Sequence, residues 1–244
     1  QRRLTLMIYM CGSNLESGYG SASADLQEII EAGYDRKKTE VLILAGGSQS
    51  WKTGYSTDVT HLFRVSPGGT LVEATRETGT LRNMGDPDSL SWFLRYGYQH
   101  FPADQYALIL WDHGGGPLEA ACLDELFSSD GLTLGEMCSA FESAQLPQKL
   151  SWIGFDACLM GSVEVANALS PYAEYMIASQ EREPAAGWNY AFLNGIEQDE
   201  NGGITGKRIV QKYFEALADD PNPLTLACID LSKLQEALPS MDSF

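Results

Sequence analysis

Short apolar segments recur along the chain and indicate the strands of a buried sheet. Six of them have strand length, and most alternate little between apolar and polar positions, as expected where both faces of a strand are covered. They are Leu4–Met10, Val41–Leu44, Tyr106–Trp111, Leu150–Phe155, Tyr175–Ala178 and Leu224–Ile229. We therefore predict six buried parallel strands.

Segments of helical periodicity separate these strands, and several begin after a Ser, Thr or Asp that can act as an N-cap. They are Ala22–Glu31, Ser89–Tyr98, Thr133–Ser143, Gly161–Leu169 and Thr205–Leu217. Alternating strands and helices pack as helices on both faces of a mostly parallel sheet. The predicted fold class is thus an α/β three-layer sandwich with a central sheet of about six strands, and residues 1–244 are predicted to form a single domain.

One segment departs from this alternation. Val59–Glu73 shows alternating polarity on both sides of Pro67-Gly68-Gly69, which predicts an inserted β-hairpin off the main sheet. The stretches Gly46–Asp58 and Gly114–Gly131 are predicted to be irregular loops. A helix predicted near Leu231 has hardly begun where the sequence stops, so we expect the native chain to continue.

The charge balance limits the class of partner. The chain carries 33 acidic and 16 basic side chains, a formal net charge of −17, which argues against nucleic acid and suits cationic peptides. No apolar run approaches the roughly 18 residues of a membrane helix, so we expect no membrane partner. The first residues run directly into an apolar segment, so we expect any export signal to be absent from this chain. The oligomeric state is not determined by the sequence.

Two predicted strands are followed by residues that can do chemistry. His113 lies just beyond Tyr106–Trp111, and Cys158 lies shortly after Leu150–Phe155. Ligands of open α/β sheets bind beyond the carboxyl ends of the strands, and neighbouring strands would bring these two side chains together. The two other histidines, His61 and His100, follow no such strand end and are interpreted as structural.

A cysteine peptidase needs at least two catalytic side chains, a cysteine and a histidine. The thiolate attacks the carbonyl carbon, and an imidazole or a helix N-terminus favours the thiolate. Cys158 is predicted to lie where a helix begins. The backbone amides of Gly114 and Cys158 are the candidates for the oxyanion hole, and no metal or other cofactor is required for this step. Local chemistry alone leaves a hydrogen-bonding histidine and a packed cysteine as alternatives.

Several separated motifs resemble the clostripain family of cysteine peptidases. They are TLMIYMCGSNLES, ADLQEI, VLILAGGSQSW, LILWDHGGG, IGFDACLMGSVEVA and YMIASQEREPAAGWNY, and they cover most of the chain in the family's order. The resemblance implies a caspase-like (caspase–hemoglobinase) fold, a bacterial secreted or cell-envelope location, and endopeptidase activity on peptides or proteins. Its His-Cys dyad maps onto His113 and Cys158.

The same resemblance implies an acidic pocket for the residue before the scissile bond. Asp156 stands two residues before the nucleophile, where a carboxylate favours Arg or Lys in the substrate. Glu181 and Glu183 are the candidates for a second acidic group. Asn14 could orient a catalytic group or bind substrate, although a turn or cap role is the alternative. For Asp156 the alternative is capping of the helix after the nucleophile.

Other features of the sequence bear on activation and on competing functions. No Lys or Arg lies between Arg95 and Lys149, so we expect no activating cleavage at a basic residue in the loop Gly114–Gly131; the alternatives are cleavage elsewhere or a specificity that is not basic. Asp124, Glu125 and Asp130 form an acidic loop that could hold calcium, although no EF-hand pattern is present. An inactive caspase-like binding module or a zymogen-like relative is the alternative function. An α/β hydrolase would need a GxSxG elbow, which the chain lacks.

Overall fold

An eight-stranded sheet forms the centre of the protein. The computed structural model describes residues 2–74 and 79–241. The strands of this sheet are β1 (Leu4–Cys11), β2 (Thr39–Gly46), β3 (His61–Val65), β4 (Leu71–Glu73), β5 (Gln105–Trp111), β8 (Leu150–Asp156), β9 (Ala173–Ala178) and β10 (Ala227–Asp230). They lie in the order β10-β9-β8-β5-β1-β2-β3-β4. A separate two-stranded sheet joins β6 (Ala121–Asp124) to β7 (Asp130–Leu132).

Helices cover both faces of the main sheet. They are α1 (Ser13–Tyr19), α2 (Ser21–Glu31), α3 (Pro87–His100), α4 (Leu134–Ala144), α5 (Val163–Leu169), α6 (Gly202–Ala216) and α7 (Leu231–Met241). One apolar core lies between the sheet and α3, α4, α5 and α7, and the other lies between the sheet and α2 and α6. The predicted α/β three-layer fold class is confirmed.

Strand β1, at the centre of the sheet, shows why apolar and polar residues alternate so little in the predicted strands. Every residue of β1 is buried, with Met7 and Tyr9 in one core and Leu6 and Ile8 in the other. Burying apolar side chains contributes roughly 25 cal/mol per Å² of area removed from water, so both faces of such a strand are selected for apolar residues. A continuous apolar run is the result.

The five strands β9, β8, β5, β1 and β2 run parallel and end at one edge of the sheet. Their pairing is in register along the whole of β1, from Leu4 beside Thr39 and Gln105 to Met10 beside Ala45 and Trp111. Parallel order continues through β8 and β9. The carboxyl ends of β5 and β8 are therefore adjacent, and the segments that follow them meet.

The predicted β-hairpin forms, but its predicted place off the main sheet is wrong. Strand β3 pairs antiparallel with β2, with Ile43 opposite Phe63, and β4 pairs with β3, so the sheet has eight strands and not about six. Leu62 packs in one core and Phe63 in the other. Because β3 is buried on both faces, leaving the sheet would expose these side chains to water.

The prediction that all six strands are parallel is also wrong for the last one. Strand β10 is shorter than Leu224–Ile229 and pairs antiparallel with β9, with Cys228 opposite Ile177. A short apolar run in the sequence indicates that a strand is buried, but it does not indicate whether the strand runs parallel or antiparallel to its neighbour. The irregular stretch predicted over Gly114–Gly131 contains the β6–β7 hairpin, whose Ala121 and Leu132 are fully buried.

Candidate active site

A cavity of about 190 Å³ opens beyond the carboxyl ends of the parallel strands. Residues from β5, β8 and the segment after β9 line it, together with two helical residues from α1 and α2. It brings together four of the residues predicted from the sequence: His113, Cys158, Asp156 and Glu183. The sequence predicted that His113 and Cys158 lie close together, and in the structure both side chains line this cavity.

Cys158 lies in a turn directly after β8, and the prediction that a helix begins there is wrong. Helix α5 begins only at Val163, where Ser162 provides the cap by accepting from the Val165 N–H. The intervening backbone is held instead by the segment after β9, since the N–H of Gly161 donates to Ser179 O at 2.7 Å. Within the described part of the chain, Cys158 therefore does not lie at the N-terminus of a helix.

The Cys158 sulfur lies within hydrogen-bonding distance of the Glu183 backbone. The N–H of Glu183 donates to Cys158 Sγ at 3.3 Å, and the thiol lies 3.9 Å from the Glu183 carbonyl oxygen. Next to it, the Leu159 N–H donates to Glu181 O at 3.0 Å. The turn that carries Cys158 is thus attached to the segment that follows β9.

His113 is held by Asn14. The distance between His113 Nε2 and Asn14 Oδ1 is 2.6 Å. An amide oxygen only accepts, so the proton of neutral His113 is assigned to Nε2, which leaves Nδ1 as the basic nitrogen. Burial lowers the pKa of His113 and favours that neutral form. Asn14 lies in the first turn of α1, a helix that the sequence did not indicate, and not in a loop.

Asp112 directly follows β5, and none of the hydrogen bonds that its carboxyl forms within the described residues involves the His113 imidazole. Its buried carboxylate accepts from the hydroxyl of Ser13 and, at 2.6 Å, from the N–H of Leu123. Burial raises the pKa of Asp112 to about 8. Since Ser13 precedes Asn14, this carboxyl connects the start of α1 to the ends of β5 and β6.

Gly114 allows the segments after β5 and β8 to approach closely. A Cβ atom at this position would lie 2.3 Å from the Cys158 carbonyl oxygen, a distance that backbone atoms do not tolerate. The N–H groups of Gly114 and Cys158 have no hydrogen-bond partner within residues 2–74 and 79–241. These two donors are therefore available to a substrate oxygen.

Asp156, the last residue of β8, is buried at the cavity. Its two carboxylate oxygens accept from the Trp188 N–H and the Tyr190 hydroxyl, both at 3.1 Å. Burial raises the pKa of Asp156 to about 7. The capping alternative for Asp156 is wrong, because its partners lie in the segment after β9 and the cap of α5 is Ser162.

The two glutamates predicted for the pocket lie in different places. Both carboxylate oxygens of Glu183 are buried and have no hydrogen-bond partner in the described part of the chain. Burial is the main cause that raises the pKa of Glu183, and the charge of Asp156 raises it further. The nearby Trp188 indole lowers it in part, although its N–H is not in the geometry of a hydrogen bond to Glu183. Glu181 is exposed and lies outside this cavity.

Asp25 is a cavity residue that the sequence reasoning missed. It lies on α2, and its carboxylate accepts from Trp111 Nε1 at 2.7 Å. Burial, and then the nearby Asp156, raise its pKa. The sequence could have indicated Asp25, because this acidic residue lies between Ala22 and Ile29 on the apolar face of an amphipathic helix, which is buried.

The other candidates lie away from the cavity. His61 contacts Glu73 at 2.9 Å and the Ser56 carbonyl at 3.0 Å, and His100 is exposed at the end of α3. In the acidic loop, Asp124 accepts from the Met84 N–H, Glu125 from the Ser17 hydroxyl and Asp130 from the Asn83 amide. No cluster of three or more His, Cys, Asp or Glu suited to a metal occurs among the residues with described positions.

Thermal stability should fall as pH rises from about 4 to about 8. Folding raises the pKa of Asp112 from 3.8 to about 8, so in this range the folded chain holds a proton that the unfolded chain has released. One such group changes stability by up to about 1.4 kcal/mol per pH unit, or about 3 to 5 °C in Tm. Differential scanning calorimetry should show this slope, and Asp112→Asn should flatten it. An unchanged slope in the variant would contradict the assignment.

Comparisons with known proteins agree on one family. The sequence profile of the clostripain family, Peptidase_C11, matches residues 8–244. Clostripain from Hathewaya histolytica is 27% identical over 221 residues, which is 78% of this chain and 41% of that protein. The chain thus spans less than half the length of this relative.

Solved structures share the fold. A secreted C11 cysteine protease from Bacteroides thetaiotaomicron, in complex with an irreversible peptide inhibitor, has a TM-score of 0.80 at 22% identity and covers 98% of this chain and 69% of its own. An inactive zymogen C11 protease from Parabacteroides distasonis has a TM-score of 0.74 at 24% identity and covers 99% of this chain and 66% of its own. In the part of this chain that is described, no helix is long and apolar enough to cross a membrane.

Proposed function

This chain belongs to the clostripain family, and from that premise we propose that it is a cysteine endopeptidase acting through Cys158 and His113. The observation that carries the proposal is the single cavity that both side chains line, at the carboxyl ends of adjacent strands. We propose that no cofactor is needed, because a thiol and an imidazole supply the nucleophile, base and acid.

The proposed mechanism follows from the contacts of each group. His113 Nδ1 takes the thiol proton, the Cys158 sulfur bonds to the carbonyl carbon, and the N–H groups of Gly114 and Cys158 donate to the resulting oxyanion. His113 then returns the proton to the leaving amine as the peptide C–N bond breaks. Water hydrolyses the thioester and regenerates the thiol.

We further propose a preference for Arg or Lys before the scissile bond. Asp156, Glu183 and Asp25 line the cavity beside Cys158, and neither Lys nor Arg lines it with them. Glu183 is the second acidic group of the pocket, because its buried oxygens lack partners that a guanidinium or ammonium would provide. A neutral side chain would leave these oxygens unpaired, which disfavours it.

Substitution of Asn14 should lower turnover more than substrate binding. Asn14→Ala removes the acceptor that holds His113 Nε2, so the imidazole becomes free to rotate and exchange tautomers. We expect kcat to fall about 10- to 100-fold with KM changed less than about threefold. Steady-state kinetics on a Lys peptide measures both. Asn14→Asp, which keeps an acceptor, should recover part of kcat, and a change confined to KM would indicate substrate binding instead.

A positional-scanning fluorogenic peptide library tests the proposed activity and specificity together. We expect hydrolysis under reducing conditions to concentrate on peptides with Arg or Lys before the bond, with and without added calcium. Activity on other residues would contradict the acidic pocket, and activity only with calcium would contradict cofactor independence. No activity would favour the zymogen-like or inactive alternative.

We propose that the protein is secreted or held at a bacterial cell envelope. The supporting observation is that the relative from Bacteroides thetaiotaomicron is a secreted protease. Peptides or proteins are the proposed partners, and neither nucleic acid nor membrane is. Protease protection of the native protein in intact and fractionated cells tests the location.

A further inference from the structure

Ser13, the first residue of α1, has a backbone conformation that residues other than glycine rarely adopt. Its φ is +46°, in the left-handed region where a Cβ atom crowds the chain. Such strained residues persist only where the surrounding contacts hold them, and they cluster at functional sites. We infer that Ser13, held by Ser48 and Asp112, positions Asn14 and through it the imidazole of His113. The inference rests on the proposed role of His113 as the base and names the residues that orient it.

Three polar groups of Ser13 are bound, each by a different residue. Its N–H donates to the Gly47 carbonyl at 3.1 Å, and its carbonyl accepts from the Ser48 hydroxyl at 2.8 Å. Its own hydroxyl donates to Asp112. Ser48 and Asp112 are buried and follow β2 and β5, the two strands that flank β1 in the sheet. Ser13 is therefore held from both sides, which explains how its strained conformation persists.

The carboxyl that holds Ser13 also fixes the segment that carries the base. The second oxygen of Asp112 accepts from the Leu123 N–H at 2.6 Å. The Cys122 N–H donates to the carbonyl of His113 at 3.3 Å. The backbone at His113 is thus attached to β6, and Asp112 joins this segment to the start of α1. One buried carboxyl therefore sets the spacing between the base and the residue that precedes Asn14.

The imidazole depends on Asn14 for its orientation. Among the residues with described positions, the contact of 2.6 Å between His113 Nε2 and Asn14 Oδ1 is the one hydrogen bond of either side chain. Asn14 is exposed, so its place depends on the backbone that carries it. Ser13 precedes it directly, and the φ of Ser13 determines the direction in which that backbone leaves β1. Release of Ser13 should therefore free the imidazole and leave the acidic pocket intact.

Two serine variants release Ser13 in different ways. Ser13→Ala keeps the Cβ atom and removes the hydroxyl that donates to Asp112. Ser48→Ala removes the donor to the Ser13 carbonyl, and it provides the second test if Ser13→Ala folds poorly. Ser17→Ala is the matched control on the same helix, because the Ser17 hydroxyl donates to Glu125 at 3.1 Å and contacts neither Asn14 nor His113. Thermal unfolding establishes that each variant is folded.

Steady-state kinetics on a Lys peptide separates positioning from binding. We expect Ser13→Ala and Ser48→Ala to lower kcat about 10-fold with KM changed less than about threefold, since small misplacement of a catalytic group is costly. Ser17→Ala should stay within about twofold of the unsubstituted protein. In an Asn14→Ala background, Ser13→Ala should lower kcat by less than about a further twofold, because the group that it positions is already absent.

The tautomer of His113 gives a readout that does not need turnover. The chain has three histidines, so ¹⁵N NMR of histidine-labelled protein resolves a small set of imidazoles, and His113→Ala assigns the signal. At pH 8 the unsubstituted protein and Ser17→Ala should show the proton of His113 on Nε2. Ser13→Ala, Ser48→Ala and Asn14→Ala should show exchange between the two tautomers. His61, which has its own partners, should be unchanged in all of them.

The results that would overturn the inference are distinguishable from failure of the proposed function. If Asn14→Ala lowers kcat while Ser13→Ala and Ser48→Ala leave kcat and the tautomer unchanged, the base is correct and the positioning is wrong. If the loss from Ser13→Ala adds fully to that from Asn14→Ala, Ser13 acts elsewhere and the positioning is again wrong. If the unsubstituted protein shows no hydrolysis that depends on Cys158, the proposed function fails and the inference fails with it.

Discussion

Replacement of Cys158 by Ala should abolish peptidase activity, with kcat/KM on a Lys or Arg peptide reduced about 10⁴-fold or more. Without the sulfur no acyl-enzyme forms, and the remaining groups act only on water. Hydrolysis of a fluorogenic peptide, compared at equal protein concentration, measures the loss. Residual activity above about 1% would show that another residue is the nucleophile.

The fold should survive this substitution. Cys158 is only partly buried, its sulfur accepts from the Glu183 N–H, and truncation of such a side chain costs roughly 1 kcal/mol or less. Thermal unfolding of the variant should therefore change by only a few degrees. His113→Ala should reduce turnover to a similar extent, and the double variant should be no worse than either single one, because the two groups act as a unit.

Replacement of Asp156 by Asn should remove the preference for basic substrates. Asn has nearly the same shape, and its amide can still meet the Trp188 N–H and the Tyr190 hydroxyl, so folding should be retained. The loss of the buried charge should reduce kcat/KM for Arg and Lys peptides about 100-fold or more, since an unpaired cation in a buried pocket costs several kcal/mol. A peptide with a neutral side chain at the same position should be affected far less.

The ratio of the two substrates is the decisive measurement for this variant. An equal loss on basic and neutral peptides would indicate damage to the nucleophile two residues away, and would contradict the specificity role. Glu200→Gln, an exposed acidic residue outside the site, provides the matched control for a change of one charge unit. It should leave both rates unchanged.

The three buried carboxyls of the acidic cavity have an energetic cost in the folded protein. Buried carboxyls without cations are unfavourable, and burial raises the pKa of each of Asp25, Asp156 and Glu183. The predicted fall of stability with pH results from the same cost of burial, at Asp112. Substrate binding would supply the counter-charge that the fold lacks.

The sequence by itself determined the layer order of the fold and the positions of the two reactive side chains. Continuous apolar runs such as Leu4–Met10 identify strands buried on both faces, since each face must be covered by helices to stay out of water. Parallel strands place their carboxyl ends together, so His113 and Cys158 could be paired from their places after two strands alone. Asp156 followed only from the resemblance to the clostripain family.

Only the tertiary structure decided which other residues reach the cavity and in which direction the edge strands run. Asp25 reaches the cavity from a helix far from Cys158 in sequence, Asn14 contacts His113 from α1, and Glu183 rather than Glu181 lines the cavity after β9. The hairpin at Val59–Glu73 joined the sheet because β3 could bury both faces there. Local patterns report how much of a side chain is buried, but contacts between distant segments depend on the packing of the whole chain.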